Sequence, residues 1–170
     1  MSSGGEIRLP LDLSNLTDEE LILAYGHVLG ALRERGIIRT KNIVGELGER
    51  YCETIFNKQV GLPSFAVLPT NAKDVDAEDC DWLAYSTKSV TLSSAKRTGL
   101  FHLSNDHNLQ DKRFDYLLVC ILNDSMLLRA IYRFEWGLFW ELKSWSSTQK
   151  AWFLSLTKKN LKYADQVYNQ

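Results

Sequence analysis

Cysteine, proline and long apolar runs are all scarce in this chain of 170 residues. The three cysteines, Cys52, Cys80 and Cys120, are widely separated and form no CxxC pair, which argues against a zinc site and a disulfide framework. The sequence shows no signal peptide and no apolar run of membrane-spanning length. We therefore expect a cytoplasmic protein that does not associate with membranes.

Several common catalytic motifs are also missing. The sequence contains no GxxxxGKS/T, no GxGxxG and no GxSxG, which argues against a P-loop, a dinucleotide-binding turn and a hydrolase nucleophile elbow. The formal net charge is −1, so a nucleic-acid partner would have to be held by a local basic patch. A hydrophobic content of 45% is ordinary for a globular protein, and we expect a single domain over residues 1–170, with 1–15 as a flexible lead-in.

Apolar periodicity and turn residues predict helices first and strands later. Thr17 and Glu20 form a capping-box pattern before the first helix, and Gly36 ends it. The expected elements are helices at 16–35 and 42–58, a short extended segment at 65–68, strands at 75–78, 82–92, 114–122 and 126–133, a short helix at 134–142, a late strand at 152–156 and a terminal helix at 158–168. This order predicts a mixed α/β domain.

The stretch from Asn71 to Thr91 carries the strongest chemical signal. Its first half is rich in acids, including Asp76, and a strand-like run with Ser86 and Lys88 follows. Residues two apart on a strand share a face, so Ser86 and Lys88 point the same way and an acid from the preceding segment can meet them. An acid, a polar group and a lysine at a strand pair predict a metal-dependent phosphodiester site. Ser86 acting as a nucleophile activated by Lys88 is an alternative.

The second helix offers further carboxylates. Glu46, Glu49 and Glu53 lie within one narrow stripe, and the neighbouring glycines Gly45 and Gly48 allow another backbone to come close. If this stripe faces the Asp76–Lys88 site, Glu49 and Glu46 can add ligands for a hard cation. The alternative is a solvated acidic face.

Basic residues cluster in two places. One set lies in and near the long segment 93–113. The other runs from Lys143 onward, where five lysines accompany one acid, Asp165. Either set can contact phosphates, or it can be a solvated surface. The candidates for nucleic-acid contacts are Lys73, Lys96, Arg97, Lys112 and Arg113. His27, His102 and His107 match no common metal-binding spacing.

The order of these segments resembles the PD-(D/E)xK restriction-endonuclease-like superfamily. The resemblance covers about residues 14–133 and includes LTDEEL, GELGERY with Glu49, KDVDAED with Asp76, YSTKSV with Lys88, and FDYLLV. It implies an αβββαβ core with a mixed central sheet flanked by helices. It also implies a DNA endonuclease dependent on Mg²⁺ (or Mn²⁺), in restriction or defence, with Asp76 and Glu49 holding the metal and Lys88 orienting the attacking water.

The sequence departs from this family at one position. Ser86 stands where the motif has its middle acid, and a hydroxyl is a weak, neutral ligand; Glu49, Glu46 or Asp74 would have to compensate. The second hypothesis is therefore a catalytically degenerate nuclease fold that binds nucleic acid or a protein partner without cleaving it. A nuclease of this size would act as a homodimer to cut both strands.

Overall fold

The computed structural model describes residues 12–69, 74–94, 96–103 and 108–170. Most of the expected lead-in, together with Lys73 and His107, lies outside these residues. The chain forms two compact units, one ending at Arg39 and the other spanning Thr40–Gln170, and the expectation of one domain stays a prediction. The elements are α1 (Asp18–Glu34), α2 (Ile43–Lys58), β1 (Phe65–Val67), β2 (Ala77–Asp79), β3 (Ala84–Thr91), β4 (Tyr116–Leu122), β5 (Leu128–Glu135), α3 (Trp136–Leu142), β6 (Lys143–Ser146), β7 (Ala151–Leu154), α4 (Lys158–Leu161) and β8 (Asp165–Asn169).

The first unit contains α1, which begins at the predicted capping box. The Thr17 N–H donates to Glu20 Oε2 over 2.8 Å, and Thr17 Oγ1 accepts from the Glu20 N–H over 3.3 Å. Gly36 ends the helix with φ of +66°, a conformation that favours glycine, and its N–H donates to the Arg33 carbonyl. None of the α1 residues is buried, so the hydrogen bonds at its two ends are the interactions that stabilise the helix locally.

The second unit is built on a six-stranded sheet in the order β1-β2-β3-β4-β5-β8. Strands β3 and β4 run parallel, with Tyr85 opposite Tyr116, and every other neighbouring pair is antiparallel. The protein is therefore α/β with a mixed central sheet, as predicted. Strand β4 is buried from Leu117 to Leu122, which agrees with its almost continuous apolar sequence.

Helix α2 covers one face of this sheet. Its Cys52 and Phe56 pack with Tyr85, Leu118 and other buried residues of the strands. Gly48 lies so close to β3 that a Cβ built on it would be 1.8 Å from Ser89 Oγ. The atoms that come close to Gly48 belong to the side chains of Ser89 and Cys120, whereas a Cβ on Gly45 would meet Asn42, the residue that caps α2.

The other face is covered by α3 and the β6–β7 hairpin. Trp136 and Phe139 of α3 and Leu154 of β7 pack against Val90, Val119 and further strand residues. The segment 96–101 runs beside β7, where Phe101 and Trp152 exchange backbone hydrogen bonds of 2.8 and 3.0 Å. The aromatic side chains of Trp136 and Phe139 are thus part of the core.

Two expectations for the carboxyl-terminal region are wrong. The helix predicted at 158–168 is only one turn long, α4, and its second half is strand β8, which pairs with the edge of β5. The polar segment 143–150 contains β6, which was not expected. In the described part of the chain, no helix has both the length and the apolarity needed to cross a bilayer.

Candidate functional site

A cavity of about 180 Å³ opens where the β2–β3 hairpin meets the segment that precedes β4. The described residues that line it are Asp74, Asp76, Ser86, Lys88, Leu100, Phe101, His102, Leu103, Arg113 and Phe114. Strand alternation puts Ser86 and Lys88 on this face, together with Val90, while Tyr85 packs against α2 on the opposite face. The structure therefore brings together three of the predicted site residues: Asp76, Ser86 and Lys88.

Asp76 lies directly before β2 and is fixed by its neighbours on both sides. Its N–H donates to the Tyr85 carbonyl over 2.8 Å, and its own carbonyl accepts from the Leu68 N–H over 2.9 Å. Its side-chain Oδ2 accepts from the Thr87 N–H at 2.6 Å and from Ser86 Oγ at 3.2 Å. Ser86 thus holds the Asp76 carboxylate in position by a hydrogen bond.

The Lys88 side chain lines the cavity and lies over the Phe101 ring. Its Nζ lies 5.2 Å from the centre of the Phe101 ring, a distance at which the ammonium is attracted to the ring face. Among the described residues, no carboxylate lies within ion-pair distance of Lys88 Nζ. The lysine charge is therefore available to an anion that enters the cavity.

A second acid and a second cation also line the cavity. Asp74 has φ of +63° and faces Arg113, with 3.7 Å between its Oδ2 and Arg113 Nη1. His102 is exposed at the rim. The sequence offers Asp74 only as a substitute for the missing acid. Its place in the cavity depends on the backbone turn before β2.

The two glutamates predicted as metal ligands lie elsewhere. Glu46 and Glu49 belong to α2, which packs on the sheet face opposite Ser86 and Lys88, and neither appears among the described residues lining the cavity. Glu46 is almost fully buried, with 4% of its surface exposed. Glu49 lies near the buried Cys52. The pKa of Cys52 is raised by its hydrogen bond with Cys120, by burial and by the negative charges of Glu49 and Asp76.

The predicted nucleic-acid contacts divide into three groups. Lys112 forms an ion pair with Asp115, and Arg113 lines the cavity. Lys96 is exposed, and Arg97 lies over the Phe153 ring with its Cζ 4.9 Å from the ring centre. The prediction for Lys73 falls outside the described residues.

The donor set restricts how Mg²⁺ or Mn²⁺ would be held. Among residues 12–69, 74–94, 96–103 and 108–170, no cluster of three or more His, Cys, Asp or Glu side chains is placed to bind a metal. Mg²⁺ commonly retains several waters and takes only one or two protein carboxylates together with substrate phosphate. Asp74 and Asp76 both line the cavity and are the carboxylates that would hold the cation in such an open site.

No protein-family model matches this chain, and no curated protein matches it.

Sequence reasoning missed the outer wall of the cavity. Leu100, Phe101 and Leu103 lie in the long segment 93–113, for which the sequence predicts neither a helix nor a strand. Alternation of apolar residues at 101 and 103 was the available local signal, because both side chains are buried. What the sequence did not reveal was the backbone pairing of Phe101 with Trp152, which fixes this wall.

Proposed function

We propose that this protein is a DNA endonuclease that depends on Mg²⁺ (or Mn²⁺), with the cavity beside β3 as its active site and the cytoplasm as its compartment. The observation that carries the proposal is the meeting of Asp76 and Lys88 in one cavity, with Asp74 and Arg113 beside them. The sequence also resembles the PD-(D/E)xK restriction-endonuclease-like superfamily. The cavity and this resemblance together favour hydrolysis of a phosphodiester bond over other chemistries.

In the proposed reaction, a water oxygen bonds to phosphorus while the bond from phosphorus to the leaving oxygen breaks, leaving a phosphate monoester and a hydroxyl group. Asp76 and Asp74 would hold the cation, which polarises the phosphate and lowers the pKa of a bound water. Lys88 Nζ would donate to a phosphate oxygen and stabilise the charge that builds there. Arg113 would help to orient the scissile phosphate. Ser86 would keep the Asp76 carboxylate in place.

The test compares cleavage of supercoiled plasmid by wild type, Lys88→Ala and Lys58→Ala with Mg²⁺ and with Mn²⁺. Removing a charge that stabilises the transition state lowers rates by about 100- to 1,000-fold, so Lys88→Ala should be nearly inactive. Lys58 is an exposed lysine in the last turn of α2 and serves as the matched control, with wild-type activity expected. Equal cleavage by wild type and Lys88→Ala would refute the proposal, as would a wild type that cuts neither DNA nor RNA.

A second candidate function is a degenerate nuclease fold that binds nucleic acid, or a protein partner, without cleavage. The observation that favours it is the engagement of Asp76 Oδ2 by Thr87 and Ser86, where a nuclease of this family would have a second acid. This candidate predicts DNA binding with no heat of Mg²⁺ or Mn²⁺ binding in calorimetry.

The variant Ser86→Asp separates the two candidates further. It places a carboxylate beside Asp76, and the repulsion between two carboxylates is relieved when a cation binds between them. If the cavity is a metal site, Mn²⁺ should raise the melting temperature of Ser86→Asp more than that of Ser86→Asn. An equal effect of Mn²⁺ on both variants would favour the degenerate module.

A further inference from the structure

The region after α3 carries a concentrated positive charge. Between Lys143 and Ala164 there are five lysines and no acidic residue, although the whole chain has 20 basic and 21 acidic residues. The remainder of the chain is therefore acidic overall, with fifteen basic residues against twenty-one acidic ones. Lys143 and Lys150 belong to the β6–β7 hairpin, and the other three lysines lie in α4 or at its end. This segment therefore suits an anionic partner better than the acidic remainder of the chain does.

The β6–β7 hairpin is a two-stranded ribbon with an exposed polar tip. Trp145 and Trp152 face each other across its strands, with 5.0 Å between their ring centres, which stiffens the ribbon. The tip consists of exposed residues whose side chains can hydrogen-bond to base edges: Ser147, Thr148, Gln149 and Lys150. A two-stranded ribbon of this kind fits the major groove of DNA, which is about 12 Å wide.

Arg97 connects the ribbon to the segment that forms the cavity wall. Its guanidinium lies over the Phe153 ring, and its Nη2 donates to Gln149 Oε1 over 3.3 Å. An exposed arginine held over a ring at the flank of a ribbon can contact a phosphate.

The ribbon is joined to the cavity wall by hydrogen bonds from Thr98 and Phe101 to β7. The Thr98 N–H donates to the Leu154 carbonyl over 2.9 Å, and the Leu154 N–H donates to Thr98 Oγ1 over 3.0 Å. Phe101 follows, pairs with Trp152, and carries Lys88 over its ring. A duplex bound to the ribbon is therefore connected to the cavity through the segment 97–101, which pairs with β7 and contributes to the cavity wall.

We infer that the β6–β7 ribbon is a duplex-DNA-binding element whose tip residues 147–149 read base edges in the major groove while Lys150 and Arg97 contact the backbone. This inference rests on the proposed function for the choice of DNA as the anionic partner. It assigns the specificity of the protein to the ribbon and its chemistry to the cavity.

The experiment measures binding of a fluorescent duplex by anisotropy, in EDTA so that no cleavage occurs. The variants are Arg97→Ala and Lys150→Asn, with Lys58→Ala as a charge control. Asparagine is chosen at position 150 because Lys150 has φ of +48°, which asparagine tolerates. Each variant should weaken binding and reduce the slope of log affinity against log salt by about 1, while Lys58→Ala should match wild type. Circular dichroism checks that each variant is folded.

Base reading is tested with Gln149→Ala and a pool of randomised duplexes. Losing a bidentate contact to a base changes discrimination by about 5- to 150-fold, so Gln149→Ala should relax the preference at one position without changing the salt slope. Gln59→Ala, an exposed glutamine at the end of α2, is the control.

The outcomes distinguish this inference from the proposed function. If duplex binding depends on Arg97 and Lys150 but Mg²⁺ supports no cleavage, DNA binding by the ribbon is supported and the proposed nuclease activity is refuted. If the wild type cleaves DNA and the ribbon variants bind and cut DNA like the wild type, the assignment of DNA binding to the ribbon is refuted. The inference would also fail if wild type bound no duplex in EDTA, or if single strands competed better than duplex and Gln149→Ala had no effect.

Discussion

Replacing Gly48 by alanine tests how closely α2 approaches the sheet. Alanine is normally the better helix residue, by about 0.8–1 kcal/mol relative to glycine. At this position a Cβ would lie 1.8 Å from Ser89 Oγ, 2.8 Å from Ser89 Cβ and 3.4 Å from Cys120 Cβ. Rotation of the Ser89 hydroxyl removes the first contact but not the second, because the strand backbone fixes the position of Ser89 Cβ.

The expected net effect of Gly48→Ala is a loss of stability. Overpacking costs about 1–3 kcal/mol, and two Ser89 atoms under 3 Å from the new Cβ favour the upper half of that range. After the gain of about 1 kcal/mol in helix propensity, the free energy of unfolding should fall by about 1–2 kcal/mol. Gly137, in the first turn of α3, has no neighbour within 4 Å of a built Cβ. Gly137→Ala should therefore leave stability unchanged or raise it by up to about 1 kcal/mol.

Urea unfolding of both variants, followed by tryptophan fluorescence, measures these differences. A double-mutant cycle with Ser89→Gly, which deletes both atoms that the new Cβ would meet at under 3 Å, should show a favourable coupling with Gly48→Ala. If Gly48→Ala is as stable as wild type, or if the coupling is absent, α2 does not lie on β3 as described.

Three further outcomes are expected. Burial alone would raise the pKa of Asp115, but hydrogen bonds from Lys112 and the Ala84 N–H, and the Lys112 charge, lower it below 3.8. Its carboxylate therefore stabilises the fold above pH 3.8 and loses that effect as the pH falls through the lowered pKa. Urea unfolding should show Asp115→Asn less stable by about 1.5–3 kcal/mol at neutral pH, with the difference shrinking in acid. Tyr85→Phe, which removes the 2.8 Å hydrogen bond to Asp79 Oδ2, should cost about 1.5–3 kcal/mol in the same assay, and wild-type stability would contradict that bond. Thr17→Ala should reduce helix content on circular dichroism, with a loss of about 0.5–2 kcal/mol, and Ser14→Ala, before the helix, serves as its control.

Local patterns were sufficient for the β2–β3 hairpin and for the shared face of Ser86 and Lys88. Alternation along a strand is a property of the backbone, so it holds whatever packs on either side. The same is true of the capping box at Thr17 and of the apolar run in β4. These features depend on residues that are near one another in sequence.

The failures came from long-range pairing. Lysines and polar residues at 158–168 favour a helix locally, yet residues 165–169 pair with the open edge of β5, and Val167 becomes buried there. The placement of Glu49 on the other side of the sheet from Lys88 also depends on packing, because a helical stripe does not reveal which sheet face it meets. The wall around Phe101 depends on a partner some fifty residues later in the chain.

The parallel pairing of β3 and β4 has a consequence for the order of folding. These neighbouring strands are joined by residues 92–115, so a long loop must close before the pair gains any contacts. Leu100, Phe101, His102, Leu103, Arg113 and Phe114 all belong to that connection. The cavity should thus be completed late in folding, and native-state hydrogen exchange should show it opening before the antiparallel β4–β5 hairpin does.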